Sequence, residues 1–338
     1  MARGTGSPLD PEKLVADFRL YDRTVDVVSA YHWFFTETAE MPATVSHFER
    51  YPKIAHEDGR DARPDFTVLF NDGSGLVAEI ANIALHDNSI EKLCHQLLRY
   101  DSLRAIPGPQ GQPVPVQNLD VIFLTPMDNA DAAIQRVYRD RLMVEGHSYK
   151  PRRPPVTIQF GFTSEKYVFQ VWPDKSVNGC LLPSERKPDY AEFTESLKIR
   201  PTNFNENKVR WAFVNDPVPP LYLASRLWSN VFSSFFDPGD IETSGTHIVN
   251  LLQKHYGRGE SQEVRAAMMV LEAAGLAAGG GGGSWSIKRS RNLRNHGADV
   301  PQAIAGLVHA QGRRLRPNDR AAKARAAVSA QDSLFDAL

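Results

Sequence analysis

Cysteine is scarce in this chain, charge of either sign is not in surplus, and no long apolar run occurs. The two cysteines, Cys94 and Cys180, stand far apart, which excludes a disulfide framework and a zinc site built on thiolates. No stretch approaches the roughly 20 apolar residues of a membrane-spanning helix, so no membrane role is expected. The opening "MARGTGSPLDPEKL" has no apolar core and does not read as a secretory signal, so a cytoplasmic protein is the expectation. Lys and Arg total 39 against 40 Asp and Glu, a formal net charge of -1, so any nucleic-acid surface has to be local. The glycine run 279–283 lacks the Lys-Ser/Thr pair of a phosphate-cradling loop. No G-x-S-x-G elbow or H-E-x-x-H pair occurs, and His32, His47, His56, His86 and His95 show no metal-ligand spacing. Those histidines read as structural or surface groups.

The length of 338 residues suits two domains, and 42% hydrophobic with 23% charged residues is ordinary for a globular protein. Residues 11–35 space Leu14, Phe18, Val25 and Val28 as a helix does, with Pro11 suited to its first turn. "RPDFTVLF" and "LVAEIANIAL" read as two strands around the turn "NDGSG". "SIEKLCHQLLRY" places Ile90, Leu93, Cys94 and Leu97 on one helical stripe, with Ser89 as a cap. "NLDVIFLTP" is a buried strand, a helix follows it, and "VTIQFGFTSEKYVFQVW" alternates as a hairpin around "TSEK". Helices between buried strands predict an α/β class with crossover connections. Residues 211–236 read as a strand, a proline-rich turn and an apolar helix, and "DPGDIET" as a domain boundary.

The chemistry concentrates in residues 63–85. Asp65 follows a proline at the head of one strand, and Glu79 lies in the next, otherwise apolar, strand. A lone carboxylate in such a strand is costly without a partner or a metal ion. Two carboxylates on neighbouring strands suit Mg²⁺, which takes one or two of them and keeps several waters. Gln96 and Tyr100, spaced i and i+4 on the following helix, share a face.

Pro64-Asp65, Glu79-Ile80-Ala81 and the Gln96/Tyr100 pair resemble the PD-(D/E)xK nuclease superfamily over about residues 15 to 125. The resemblance implies a restriction-endonuclease-like mixed sheet flanked by helices. It also implies DNA cleavage in restriction, phage defence or repair, with Mg²⁺ or Mn²⁺ as cofactor. It assigns Asp65 and Glu79 to the metal, an acid of the first helix (Glu37 or Glu40) as a further ligand, and Gln96 and Tyr100 to orienting the site. The lysine of the motif belongs at position 81, where this chain has Ala81. Three readings stand: an engineered alanine replacing a native lysine; a natural pseudonuclease that binds DNA without cutting it; or a role moved to Lys92 or Asn82. The first two imply that the chain as it stands is impaired in catalysis.

Beyond the nuclease-like region, residues 1–240, the order helix, helix, glycine loop and strand over 241–290 is that of a winged helix-turn-helix. Gly257 ends its first helix, and Ser261 would cap the second, which carries Val264, Met268 and Leu271 inward. Arg265, Lys288, Arg289 and Arg291 are its candidate DNA contacts. Residues 291–338 read as a basic flexible tail. It ends in "QDSLFDAL", where Gln331, Leu334 and Phe335 resemble the short peptide by which bacterial proteins dock on the sliding clamp. A DNA-binding protein or adaptor without catalysis, using these two elements, is the alternative function.

Overall fold

A computed structural model describes residues 9–38, 44–81, 87–173, 196–208, 210, 212–214, 216–232, 239–281, 283–288 and 299–312. The chain divides into two compact units. One comprises residues 24–215 and the other joins residues 1–23 to 216–338.

The unit 24–215 is built on a seven-stranded mixed sheet. In chain order its elements begin with most of α1 (Pro11–Glu37), then β1 (Val45–Arg50), β2 (Ile54–Ala55), β3 (Asp61–Ala62), β4 (Phe66–Phe70) and β5 (Gly75–Ile80). Next come α2 (Asp87–Asp101), β6 (Ala105–Pro107), β7 (Pro113–Pro115) and β8 (Leu119–Pro126). A helix α3 starts at Ala130–Ile134 and continues through a wider π-type turn, Gln135–Leu142. The hairpin β9 (Val156–Thr163) and β10 (Lys166–Val171), β11 (Leu197–Ile199) and α4 (Pro201–Glu206) complete it. The sheet runs β1-β4-β5-β8-β9-β10-β11. β4 and β5 are antiparallel, whereas β5 with β8 and β8 with β9 are parallel, joined by crossovers that carry α2 and α3. The expected α/β class and the turn at Ser164-Glu165 are present. That turn holds both residues at positive φ (49 and 63), as a two-residue hairpin requires.

Strand alternation sorts side chains onto two faces. On one, Val28, Tyr31, Phe34 and Phe35 of α1 pack against Phe66, Val68, Leu76, Ala78, Ile122 and Phe169. On the other, Ile90, Leu93, Cys94 and Leu97 of α2 pack with Leu69, Val77, Val121, Phe123, Val137 and Tyr138. Every residue of β8 is buried, as parallel strands covered on both faces require. In β5 only Glu79 escapes full burial.

Cys94 lies in the second core, and burial pushes its thiol up to about 12. At pH 8 the reactive thiolate is therefore scarce. Iodoacetamide followed by peptide mass spectrometry will find Cys94 unmodified in the folded protein and alkylated in guanidinium.

The second unit contains α5 (Pro220–Arg226), β12 (Ile241–Ser244), α6 (Gly245–Tyr256), α7 (Ser261–Ala273), β13 (Ala277–Gly281) and β14 (Ser284–Ile287). Its three strands order as β12-β14-β13. Ser244 caps α6 through its side chain, accepting from the His247 N–H at 3.2 Å. Gly257 ends that helix in the left-handed region (φ 66), as its sequence position predicts. Val264, Met268 and Leu271 are buried as expected.

Three expectations are corrected here. The α7 cap position is Glu260, without a side-chain cap bond, and Ser261 is already helical. Residues 212–214 form no strand, and α5 packs on α7, so its apolar residues belong with the C-terminal unit. Residues 300–312 form a helix, α8, rather than part of a flexible tail. Ile304, Ala305 and Val308, at helical spacing, are buried.

Glu263 ties the connection before α5 to α7. Its Oε1 accepts from the Val218 N–H at 2.9 Å and from the Arg258 guanidinium at 2.8 Å. Glu263→Ala leaves both donors without this acceptor and is expected to cost about 1–3 kcal/mol. Chemical denaturation followed by tryptophan fluorescence measures that loss.

Candidate active site

Asp65 stands one residue before β4, and buried Pro64 fixes the backbone that delivers it. Its N–H donates to the Ala78 carbonyl at 2.9 Å, and its own carbonyl accepts from the Tyr51 N–H at 2.9 Å. Continuing the antiparallel register from Phe66↔Ala78 sets Asp65 beside Glu79. Its carboxylate Oδ2 accepts the Ile80 N–H at 2.7 Å, where a further strand carbonyl would otherwise pair. A charge-assisted bond to backbone fixes that side chain well.

Glu79 shares its face with Val77 and Phe123, under α2. Gln96 and Tyr100 descend from α2 onto it. The Gln96 amide donates to Oε1 at 3.2 Å and the Tyr100 hydroxyl to Oε2 at 2.8 Å. Each oxygen of Glu79 thus holds a donor from one helical stripe. The Tyr100 phenol is pushed far above its ordinary value. Burial contributes most, followed by the Glu79 charge, its hydrogen bond, and the Asp65 charge. The phenol therefore stays protonated at any working pH and remains a donor. Both carboxylates bear on one phenol, so they face the same space.

Ala81 continues the same alternation and packs, half-buried, against the core beneath α2. Its N–H donates to the Leu124 carbonyl at 2.9 Å, and the register sets it beside Thr125. Thr125 is fully buried, and its hydroxyl has no hydrogen-bond partner among the described residues. Position 81 therefore lies on the Glu79 side of the sheet, next to a hydroxyl without a partner among the described residues.

Glu37 does not join this group. Phe35 of α1 contacts Phe70 at 6.0 Å between centroids, whereas Tyr31 contacts Phe66 at 5.3 Å. The helix thus runs toward the end of β4 remote from Asp65, on the opposite face of the sheet. Glu37 sits exposed at its last turn. The helical periodicity showed a carboxylate near the helix end but not the direction of that end. Glu40, Asn82, Arg289, Arg291, Gln331, Leu334 and Phe335 lie outside the described residues. Arg265 is exposed on α7, and Lys288 is half-buried with its N–H on the Leu276 carbonyl.

A cleft of about 900 Å³ opens at α2 between the β2–β3 segment and the Gln96/Tyr100 stripe. Arg60, Arg63, Lys92 and His95 line it with Gln96 and Tyr100. Its wall is braced by Asp58, which takes His56 at 2.8 Å and Arg99 at 3.4 Å. The Arg60 N–H and His56 hold that carboxyl down at about 2. His56 also bonds Ser102 at 2.6 Å, the structural use expected of it. The lining groups Arg60, Arg63 and His95 carried no sequence signal, because the two walls, residues 56–63 and 88–102, come from separate stretches of the chain.

Among the described residues no group of three or more His, Cys, Asp or Glu side chains could hold a metal ion, and no helix is long and apolar enough to cross a membrane. Comparison with protein-family models, curated proteins and solved structures finds no match to this chain.

Proposed function

We propose that Asp65 and Glu79 form a metal-dependent phosphodiesterase site of the PD-(D/E)xK nuclease type, acting on DNA. The convergence of Gln96 and Tyr100 on the two oxygens of Glu79, beside Asp65, carries this reading. The antiparallel β4–β5 pair followed by parallel β8 supports a restriction-endonuclease-like core. In the C-terminal unit the order β12, α6, α7, β13, β14, with sheet order β12-β14-β13, supports a winged helix. Arg265 on its second helix is then the candidate groove contact and Lys288 a phosphate contact.

Two carboxylates on one face fit Mg²⁺ or Mn²⁺, which complete their shells with carbonyl oxygen and water. Asp65 and Glu79 would hold the ion, which when bound neutralises phosphate charge and acidifies a water. Hydrolysis joins a water oxygen to phosphorus and breaks the bond to the leaving sugar oxygen, which ends with a proton from that water. The chain's own groups orient the reaction. Ile80 N–H fixes Asp65, and Gln96 with Tyr100 fixes the Glu79 carboxylate against rotation. The site has no ammonium on its own strand, because residue 81 is alanine.

A second reading, DNA binding without cleavage, is favoured by that alanine. Ala81→Lys separates the two. On labelled single- and double-stranded DNA with Mg²⁺ or Mn²⁺, the lysine form is expected to cleave, and chelation to stop it. Silence of that form on DNA and RNA, with DNA retention intact, would favour the binding reading. No retention on DNA at low salt would sink both.

A further inference from the structure

We infer that Lys92 of α2 presents its ammonium to the phosphodiester at the place Ala81 leaves open. The inference rests on the nuclease reading of Asp65 and Glu79 and names the group that completes that site. Three observations meet. First, Lys92, Gln96 and Tyr100 are spaced i, i+4 and i+8, so they form one stripe along α2. Gln96 and Tyr100 already touch Glu79.

Second, the direction of α2 is known from its ends. The chain leaves α2 toward Ile106, whose side chain lies at Gly75, the first residue of β5. The helix therefore runs antiparallel to β5. One step back along the stripe from Gln96, about 6 Å of helix rise, matches the two-residue step from Glu79 to Ala81, about 6.6 Å of strand. Lys92 thus stands level with position 81, on the helix that covers it.

Third, Lys92 lines the 900 Å³ cleft together with Gln96 and Tyr100, is exposed, and forms no ion pair among the described residues. Its neighbour Glu91, which also lines the cleft, pairs with Arg141 at 2.7 Å. The other charges at the cleft are largely engaged. Asp58 holds His56 and Arg99, and Asp61 holds Lys53 at 3.3 Å and Arg63 at 3.7 Å. Arg60 stands with Lys92 as a cationic group outside these pairs, and the His95 imidazole lines the same wall. A four-carbon stem brings an ammonium from the helix down to the carboxylates as readily as one from the strand would carry it up. There it donates to a non-bridging phosphate oxygen whose charge grows as water attacks; no bond to Lys92 forms.

The test compares the chain carrying Ala81 with Lys92→Ala, Ala81→Lys and the double variant carrying both substitutions. Each is measured for cleavage of labelled DNA in Mg²⁺ or Mn²⁺, and for binding of the same DNA in EDTA by fluorescence anisotropy. Lys92 is exposed and alanine is the best helix former, so the variant folds; a thermal melt checks this. Cleavage by the unsubstituted chain, a loss of about 10²–10³-fold in Lys92→Ala, and recovery in the double variant are the expected results. Binding in EDTA should weaken in Lys92→Ala, with a salt dependence shallower by about one unit of slope. Equal cleavage by the unsubstituted chain and Lys92→Ala overturns the inference. So does a silent unsubstituted chain beside an active Ala81→Lys form, which leaves the nuclease reading standing. Silence of all four chains overturns both.

Discussion

Glu79→Gln, introduced into a cleaving form of the chain, is expected to lower the cleavage rate about 10³-fold while leaving the protein at least as stable. The rate falls because the glutamine amide cannot hold a divalent cation beside Asp65, and such an ion contributes several kcal/mol to the transition state. Stability holds for a different reason. Glu79 lies beside Asp65 in the sheet, with both charges bearing on Tyr100, and an amide of the same shape relieves that repulsion. Tyr100 can still donate to the amide oxygen, and the Gln96 amide can turn to offer its own oxygen. Single-turnover cleavage and a thermal melt on the same sample read both effects. A melting temperature that drops by many degrees would show that Glu79 is a structural residue instead.

Phe66→Ala is expected to be the most damaging of the simple core truncations, at about 3–5 kcal/mol. Phe66 is fully buried on β4, with Tyr31 stacked at 5.3 Å and Phe48 at 5.2 Å. Its ring joins α1 to β1 and to the strand that begins one residue after Asp65. Domains are stable by only about 5–15 kcal/mol, so this single cavity removes a large share. The melting temperature should fall by on the order of 10 °C in calorimetry. Because β4 delivers Asp65, cleavage should fall further than the unfolded fraction alone explains. Phe66→Leu, which keeps most of the volume, should recover much of both. A loss under about 1 kcal/mol for the alanine form would mean that α1 does not pack on β4 as described.

The two variants probe different links of one chain of cause. Glu79 is unusual as a carboxylate in an otherwise apolar strand, and the helix behind it holds it with two polar side chains. Phe66 is ordinary core, and it matters to the site only by fixing where a strand starts. The nuclease reading therefore predicts that Glu79→Gln and Phe66→Ala separate by their effects on stability.

Much of this was readable without coordinates, because the signals are local. The alternation of Phe66, Val68 and Phe70, the glycine turn before Gly75, and the stripe of Ile90, Leu93 and Leu97 each report a periodicity within one element. Gly257 marks a helix end because only its left-handed backbone suits the position. The pairing of Asp65 with Glu79 also lay within reach, since a short turn dictates the register of its hairpin. The sequence by itself therefore determined the two-carboxylate hairpin, the amphipathic helix after it, and the lack of an ammonium at position 81.

Tertiary structure decided the rest. Which face α2 covers, and in which direction it runs, depends on burying apolar stripes against strands far along the chain, and no local pattern encodes that choice. It brought Gln96 and Tyr100 onto Glu79, while the course of α1 carried Glu37 to the remote end of β4. It also gave α5 to the C-terminal unit and folded residues 300–312 into a helix, within a stretch whose polar, basic composition reads as a tail. Periodicity and turn chemistry act over a few residues, whereas the assembly of a site from a strand, a helix and a cleft wall is governed by burial summed over the whole sheet.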